Sequence, residues 1–105
     1  MKVLHCIHSL SGGGAETQLK IIASYSKSVD IDTYIFCIND NRSDTFGHID
    51  NIYKYNSGGY SFCRVYSEIL ALIEQHNIDI VHAWLPPPVS IPAMLAAKKS
   101  GVLCV

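Results

Sequence analysis

Residues 2–14 read KVLHCIHSLSGGG, an apolar run of strand-forming residues that ends in three consecutive glycines. A run of this kind is typical of a buried strand in a parallel sheet, and the glycines indicate a tight turn directly after it. The apolar residues that follow recur at spacings of three and four, which predicts a helix from Ala15 to about Ser28. The start of the chain therefore predicts a strand, a glycine turn and a helix.

The rest of the sequence continues this alternation. Further strands are predicted at residues 33–38, 51–55, 79–85 and 102–105. The i, i+3, i+4, i+7 spacing of apolar residues from Phe62 to Ile73 predicts a second helix. A third helix is predicted to be capped by Ser90, to carry Pro92 in its first turn and to end at Gly101.

Strands that alternate with helices predict an α/β fold, because parallel neighbours need helical crossovers. We expect a doubly wound, Rossmann-like parallel sheet in three layers, α/β/α, with the strand order 3-2-1-4-5. The chain stops inside the predicted fifth strand, and no helix follows to cover that edge of the sheet. Residues 1–105 are therefore expected to be an incomplete amino-terminal domain, truncated in its fifth strand.

Composition narrows the classes of function. The chain has 105 residues, of which 49% are hydrophobic and 16% charged, so one globular domain is the upper limit. A net charge of -1 provides no basic field for nucleic acid, which is not expected as a partner. The four widely spaced cysteines predict reduced thiols rather than a metal site. With no secretory signal and no membrane span in the sequence, we expect a cytoplasmic protein.

The carboxyl ends of the predicted strands are where a ligand would bind. Gly12, Gly13 and Gly14 follow the first strand, and the free N–H groups of the next helix would face a phosphate. A tight turn needs glycine whether or not it binds a ligand, so a purely structural role remains open. Two known phosphate motifs fit poorly: no Lys-Ser or Lys-Thr follows the glycines, and Thr17 occupies the third glycine position of the dinucleotide fingerprint.

Two strings of the sequence resemble one known family. Residues 10–16, LSGGGAE, look like the turn after the first strand in family-4 glycosyltransferases of the GT-B fold. Residues 79–84, DIVHAW, look like the fourth-strand motif of the same family. The resemblance covers the whole chain but only part of that family's amino-terminal domain.

The resemblance implies an activity and site residues. Family members transfer a sugar from a nucleotide-sugar donor to an acceptor, usually with retention of anomeric configuration and without a required metal or cofactor. Gly12, Gly13 and Gly14 would bind the donor diphosphate, whereas His82, Trp84 and Glu16 would line the acceptor side of the cleft. The indole of Trp84 could stack on a sugar or could only pack at the strand end.

The resemblance also implies partners and what the chain would lack. We expect a glycan or lipid-linked acceptor in the full protein, as in polysaccharide biosynthesis, with peripheral contact at the cytosolic face of a membrane. Without the family's second domain, water could not be excluded, so these 105 residues alone are expected to be inactive and to self-associate through the fifth strand.

Two alternatives remain at this point. A stand-alone Rossmann-like module could bind a phosphorylated ligand or a partner chain without catalysis. Half of a dinucleotide oxidoreductase is disfavoured because the third glycine of the fingerprint is missing.

Overall fold

The computed structural model describes residues 1–9, 14–39, 51–55, 59–84 and 87–105. The described elements are, in chain order, β1 (Lys2–Ser9), α1 (Gly14–Ser28), β2 (Asp32–Asn39), β3 (Ile52–Lys54), α2 (Phe62–His76), β4 (Ile80–Ala83), α3 (Pro87–Ser100) and β5 (Leu103–Cys104). All five strands pair in parallel in the order β3-β2-β1-β4-β5. The predicted α/β fold and strand order are therefore confirmed.

Among the described elements, two helices pack on one face of the sheet and one helix packs on the other. Strand residues alternate between faces, so on β1 Leu4 and Cys6 point to one side while His5 and Ile7 point to the other. Helices α2 and α3 pack on the first side, which we call the two-helix face. Helix α1 packs on the second side, the one-helix face, where Leu19 contributes to the core.

The buried clusters reflect this difference. The cluster of the two-helix face comprises Leu4, Cys6, Phe36, Tyr55, Val65, Ile69, Leu72, Ile73, Ile78, Val81, Val89, Ala93, Ala96 and Ala97. The cluster of the one-helix face comprises Ile7, Leu19, Ala23, Ile35 and Cys37. Most of the described core therefore lies between the sheet and helices α2 and α3. Since burial of apolar surface is the main stabilising contribution to folding, this face contributes most to the stability of the described part of the chain.

Local sequence explains the limits of α2. Ser61, in an extended conformation with φ -139°, precedes the helix. At the other end Asn77 adopts the left-handed conformation, with φ 54°, and its backbone N–H donates to the carbonyl of Ile73. Asparagine tolerates this conformation better than most residues, so it ends the helix as glycine often does.

Helix α3 begins earlier than its sequence suggests. It starts at Pro87, so Ser90 is a buried helical residue and not the N-cap that was predicted. The physical reason is that proline is well suited to the first turn of a helix, where backbone N–H groups have no partner within the helix. Pro92 consequently lies in the helix interior and not in the first turn.

Pro92 has no N–H to donate to the carbonyl four residues earlier, which belongs to Pro88. That carbonyl instead accepts a hydrogen bond of 2.9 Å from the hydroxyl of Tyr60. The chain before α2 thus supplies a donor that the helix itself lacks, and it ties the start of α3 to the start of α2.

Hydrogen bonds at the amino edge of the sheet join the first residue of β1 to the chain between α2 and β4. The backbone N–H of Lys2 donates to the carboxylate of Asp79 over 2.8 Å, and Asp79 N–H donates to the carbonyl of Lys2 over 2.9 Å. The Lys2 ammonium also donates to the carbonyl of His76 at the end of α2, over 3.0 Å. A cation at this position satisfies a free carbonyl and complements the helix dipole.

The short fourth and fifth strands were predicted to be longer, at residues 79–85 and 102–105. The ladder continues past their ends: Val105 N–H donates to the carbonyl of Val81, and Ala83 N–H donates to the carbonyl of Val105. Leu103 and Val105 are largely exposed, whereas the thiol of Cys104 faces the two-helix cluster.

All four cysteines are free thiols, but they differ in burial. Cys6 and Cys37 are buried free thiols, Cys104 is half-buried and Cys63 is exposed on α2. Burial raises the pKa of the Cys6 thiol, as does the nearby Cys104 to a smaller extent. Among the described helices, none has the length and apolarity needed to cross a membrane.

Candidate functional site

The candidate site lies at the carboxyl edge of the sheet, between β1 and β4. These two strands are neighbours, and the strand order reverses at this point, because β2 follows β1 on one side and β4 lies on the other. The carboxyl ends of strands at such a reversal form the usual ligand crevice of an open α/β sheet. The chain leaves β1 after Ser9 and enters α1 at Gly14, and it leaves β4 after Ala83.

The side chain of His5 is the buried part of this site. His5 lies opposite His82 in the register of β1 and β4, and only 2% of its surface is exposed. Its Nδ1 accepts a hydrogen bond of 3.1 Å from the indole N–H of Trp84. An indole can only donate, so Nδ1 carries no proton and the neutral imidazole of His5 is protonated at Nε2.

Burial is the main reason that the imidazole stays neutral. Together with the nearby ring of His82, it lowers the pKa of His5 to about 4. Both causes oppose a positive charge: desolvation penalises the ion, and a second imidazolium would repel it. His5 is therefore a hydrogen-bond acceptor for Trp84 at every pH well above 4.

His82 and Trp84 form a stacked pair beside His5. Their ring centroids are 4.4 Å apart and the ring planes differ by 20°. The centroids of His5 and His82 are 5.2 Å apart, with the planes tilted by 46°. His82 is half-buried, and this burial lowers its pKa, so its imidazole is neutral at pH 7 and can both donate and accept a hydrogen bond.

Trp84 is fixed by its backbone as well as by its ring. Its N–H donates to the carbonyl of Cys6 over 3.0 Å, which continues the β1–β4 ladder past the end of β4. The indole packs against the cluster of the one-helix face and is half-buried. The packing role left open by the sequence is thus present, while stacking of the indole on a sugar stays a prediction.

The structure places the other predicted site residues as follows. Gly12 and Gly13 lie outside the described residues. Gly14 is the first residue of α1, and Glu16 lies in the first turn of that helix, although its side chain is outside the description. The segment that contains these glycines therefore connects the carboxyl end of β1 with the N-terminus of α1.

His5 is the site residue that the sequence did not reveal. The side chain of His8, three residues further along β1, points to the opposite side of the strand from that of His5. The partners of His5 are instead 77 and 79 residues further along the chain. The signal that could have found it is the alignment of LHCIH with DIVHA as adjacent parallel strands, which places two histidines side by side.

His76 is a second histidine whose surroundings come from distant parts of the sequence. Although it lies at the end of α2, its ring is half-buried between Tyr34 and Tyr53, with centroid distances of 5.0 and 5.4 Å. The reason is that the last turn of α2 packs onto the sheet. It lies on the two-helix face and takes no part in the candidate site.

Neither a cluster of metal ligands nor the groove between α2 and α3 coincides with this site in the described part of the chain. Within the described ranges, no three His, Cys, Asp or Glu side chains converge in a way that would hold a metal ion. An open groove of about 600 Å³ lies between α2 and α3, on the other side of the sheet from the three rings. It is lined by Phe62, Cys63, Tyr66, Ser67, Leu95, Lys98 and Lys99, and so by none of the predicted site residues.

Comparison with known proteins identifies the fold. The sequence matches no protein-family model and no curated protein sequence. The structure is similar to a glycosyltransferase from Rickettsia africae, with a TM-score of 0.74, 18% identity and coverage of 98% of this chain and 28% of that one. It is also similar to the UDP-GlcNAc 2-epimerase of Methanocaldococcus jannaschii, with a TM-score of 0.73, 17% identity and coverage of 99% of this chain and 30% of that one.

A third similar structure comes from a different kind of protein. The carboxyl-terminal domain of the PF1911 hydrogenase from Pyrococcus furiosus has a TM-score of 0.71 and 13% identity, and the match covers 99% of this chain and 88% of that domain. The chain has a Rossmann-like α/β fold that matches a domain of GT-B enzymes, and it spans about 30% of the epimerase's length. A fold shared with a hydrogenase domain does not by itself select an activity.

Proposed function

We propose that this chain is the amino-terminal, acceptor-side part of a retaining, family-4 type glycosyltransferase that uses a nucleotide-sugar donor. The observation that carries the proposal is the position of the two sequence motifs. The glycine motif lies in the chain between β1 and α1, and His82 and Trp84 lie at the end of β4, so both motifs adjoin the carboxyl ends of the two strands that flank the reversal of strand order. The fold shared with the glycosyltransferase of Rickettsia africae supports the proposal.

In this proposal the two motifs have different roles. The backbone N–H groups at Gly12, Gly13 and Gly14 bind the donor diphosphate, because a helix N-terminus carries free donors and the positive end of the helix dipole. His82 binds an acceptor hydroxyl with a neutral imidazole, which can donate and accept at once. Trp84 and Glu16 complete the acceptor side, and the proposal needs no metal.

The transfer step needs a second domain to close over the donor, because an open site cannot exclude water. We therefore propose that the 105 residues alone bind ligands weakly and have no transferase activity. The natural reading frame beyond Val105 tests this domain assignment. We expect it to encode a second α/β domain, and a stop codon directly after Val105 would contradict the proposal.

Ligand binding can be tested on the chain itself. Adding a UDP-sugar to the isotope-labelled protein should shift the amide signal of Gly14 and the ring signals of His82 and Trp84. The ring signals of His76, which lies on the other face against Tyr34 and Tyr53, are the internal control. Shifts at His76 alone, or none at all, would contradict the proposal.

The same titration separates the non-catalytic alternative. A module that binds only a phosphorylated group should respond to inorganic phosphate at the glycine turn as strongly as to the UDP-sugar, with the rings of His82 and Trp84 unaffected. A glycosyltransferase half should respond at both motifs, and only to the sugar nucleotide at the rings. No observation in the described residues favours the module over the enzyme half.

A further inference from the structure

We propose that His5 is a positioning residue: its Nδ1 holds the indole of Trp84 against the imidazole of His82, so that the ring of His82 is presented at the carboxyl edge in one orientation. The role of His82 as a ligand-binding group rests on the proposed function, whereas the ring arrangement itself does not. His5 touches no ligand in this proposal and acts through Trp84.

The first step is the rigidity of His5 itself. It lies on β1, the central strand, with Ile35 of β2 on one side and His82 of β4 on the other. Its side chain is 2% exposed, and a closely packed ring on a central strand has little freedom to turn. His5 is therefore a fixed point to which a more exposed group can be tied.

The second step is the direction of the hydrogen bond. The indole of Trp84 offers a single donor, and this donor is directed at His5 Nδ1 over 3.1 Å rather than at solvent. Without that acceptor, a half-buried indole N–H would lose its partner unless the ring rotated towards water. The bond therefore selects the indole orientation that lies flat on His82, with a centroid distance of 4.4 Å and an interplanar angle of 20°.

The third step concerns the charge state that the bond requires. His5 accepts only while Nδ1 is unprotonated, and its low pKa keeps it so near neutral pH. On this side of the sheet β2 contributes Ile35 and the Cys37 thiol, and α1 contributes Leu19 and Ala23. The neighbouring ring that can take up a proton is thus that of His82, whose own pKa is lowered by burial.

A matched pair of variants tests the proposal. Asparagine and leucine have nearly the same shape, but only asparagine keeps an acceptor at the position of Nδ1. We expect H5N to retain the native indole N–H signal of Trp84 and the native NMR titration of His82. We expect H5L to speed hydrogen exchange at the indole N–H at least about tenfold and to raise the pKa of His82 towards its ordinary value.

The outcomes are distinct. Unchanged indole exchange and unchanged His82 titration in H5L would overturn the proposal, and so would equal changes in both variants, which would indicate a purely structural role for the ring of His5. If H5L does not fold, acid titration of the unmodified protein replaces it: the indole signal of Trp84 should shift with a midpoint near that of His5. An indole signal that ignores the protonation of His5 would then overturn the proposal.

These readouts use no sugar, nucleotide or acceptor. If the protein gives the expected ring readouts but no response to a UDP-sugar, the positioning role of His5 is supported and the proposed function is contradicted. If the protein binds the UDP-sugar but the rings of His5, His82 and Trp84 are not coupled, the proposed function is supported and the positioning role is contradicted.

Discussion

The two faces of this sheet have different kinds of interior. Among the described residues, the two-helix face buries fourteen residues in one cluster, whereas the one-helix face buries five and carries the three rings of His5, His82 and Trp84 at its edge. One side therefore contributes most of the apolar burial, and the other holds polar aromatic groups in defined contacts. The comparison teaches that a small α/β domain can concentrate apolar burial on one face of its sheet and defined polar contacts on the other.

The largest expected effect comes from two leucines, one on each face. Leu4 and Leu19 are both fully buried, so the transfer contribution of each side chain is the same. We expect L4A to lower the free energy of unfolding by about 4 to 5 kcal/mol and L19A by about 3 kcal/mol, because the single helix α1 can move into the space more easily than two packed helices can. Urea unfolding measures both values. A larger loss in L19A would reverse the comparison.

Acid should destabilise the one-helix face. The pKa of His5 is about 4 in the folded protein and 6.5 in an ordinary histidine, so the unfolded chain binds the proton more readily. The free energy of unfolding is therefore unaffected by His5 above about pH 6.5 and falls by about 3 kcal/mol in total as the pH falls towards 4. The lowered pKa of His82 acts in the same direction.

Unfolding in urea at pH 7 and pH 4 measures this loss, with H5N as the matched variant that cannot take up the proton. We expect H5N to be less stable at pH 7 but to lose clearly less on acidification. An equal loss in the two proteins would show that the acid sensitivity lies elsewhere.

Two buried thiols can compare how readily each face opens. Cys6 faces the two-helix cluster and Cys37 the one-helix cluster, and neither is exposed. In a protein carrying C63S and C104S, we expect a thiol reagent to modify Cys37 at least about tenfold faster than Cys6, which corresponds to about 1.4 kcal/mol in opening energy. Mass spectrometry of the labelled peptides gives both rates. Equal rates would mean that the sheet opens as one unit.

The smallest expected effect concerns the contact that joins α3 to the chain before α2. Y60F removes the hydroxyl that donates to the carbonyl of Pro88 and should cost about 1 kcal/mol of the free energy of unfolding. Y25F, at an exposed tyrosine of α1, is the control and should cost close to nothing. A cost in Y60F no greater than that in Y25F would show that the bond adds nothing to the two-helix face.

Much of the fold follows from sequence patterns, because period and turn chemistry are local. The apolar run of β1, the glycines after it and the helical spacing in α2 predicted the elements, and the need for crossovers predicted their parallel order. The predicted start of α3 was wrong because consecutive prolines can end a strand or begin a helix, and packing decides between these outcomes.

The candidate site was predictable only in part, because it depends on register. His82 and Trp84 were found from a motif on one strand, but the contact of each with His5 requires the pairing of β1 with β4, which joins residues far apart in sequence. Local sequence does not show the half-burial of His76 for the same reason, since its neighbours Tyr34 and Tyr53 lie on β2 and β3. Contacts across a sheet are not encoded by local periodicity.

The hydrogen bonds between Lys2 and Asp79 have a consequence for positional accuracy at the opposite edge. Parallel strands can slide only in steps of two residues without turning their side chains over, and such a step is about 6.6 Å. This is more than the 5.2 Å between the ring centroids of His5 and His82, so a single slip would separate them. The contact between Lys2 and Asp79, three residues before His5 and His82 respectively, therefore fixes the strand register that brings the two rings together.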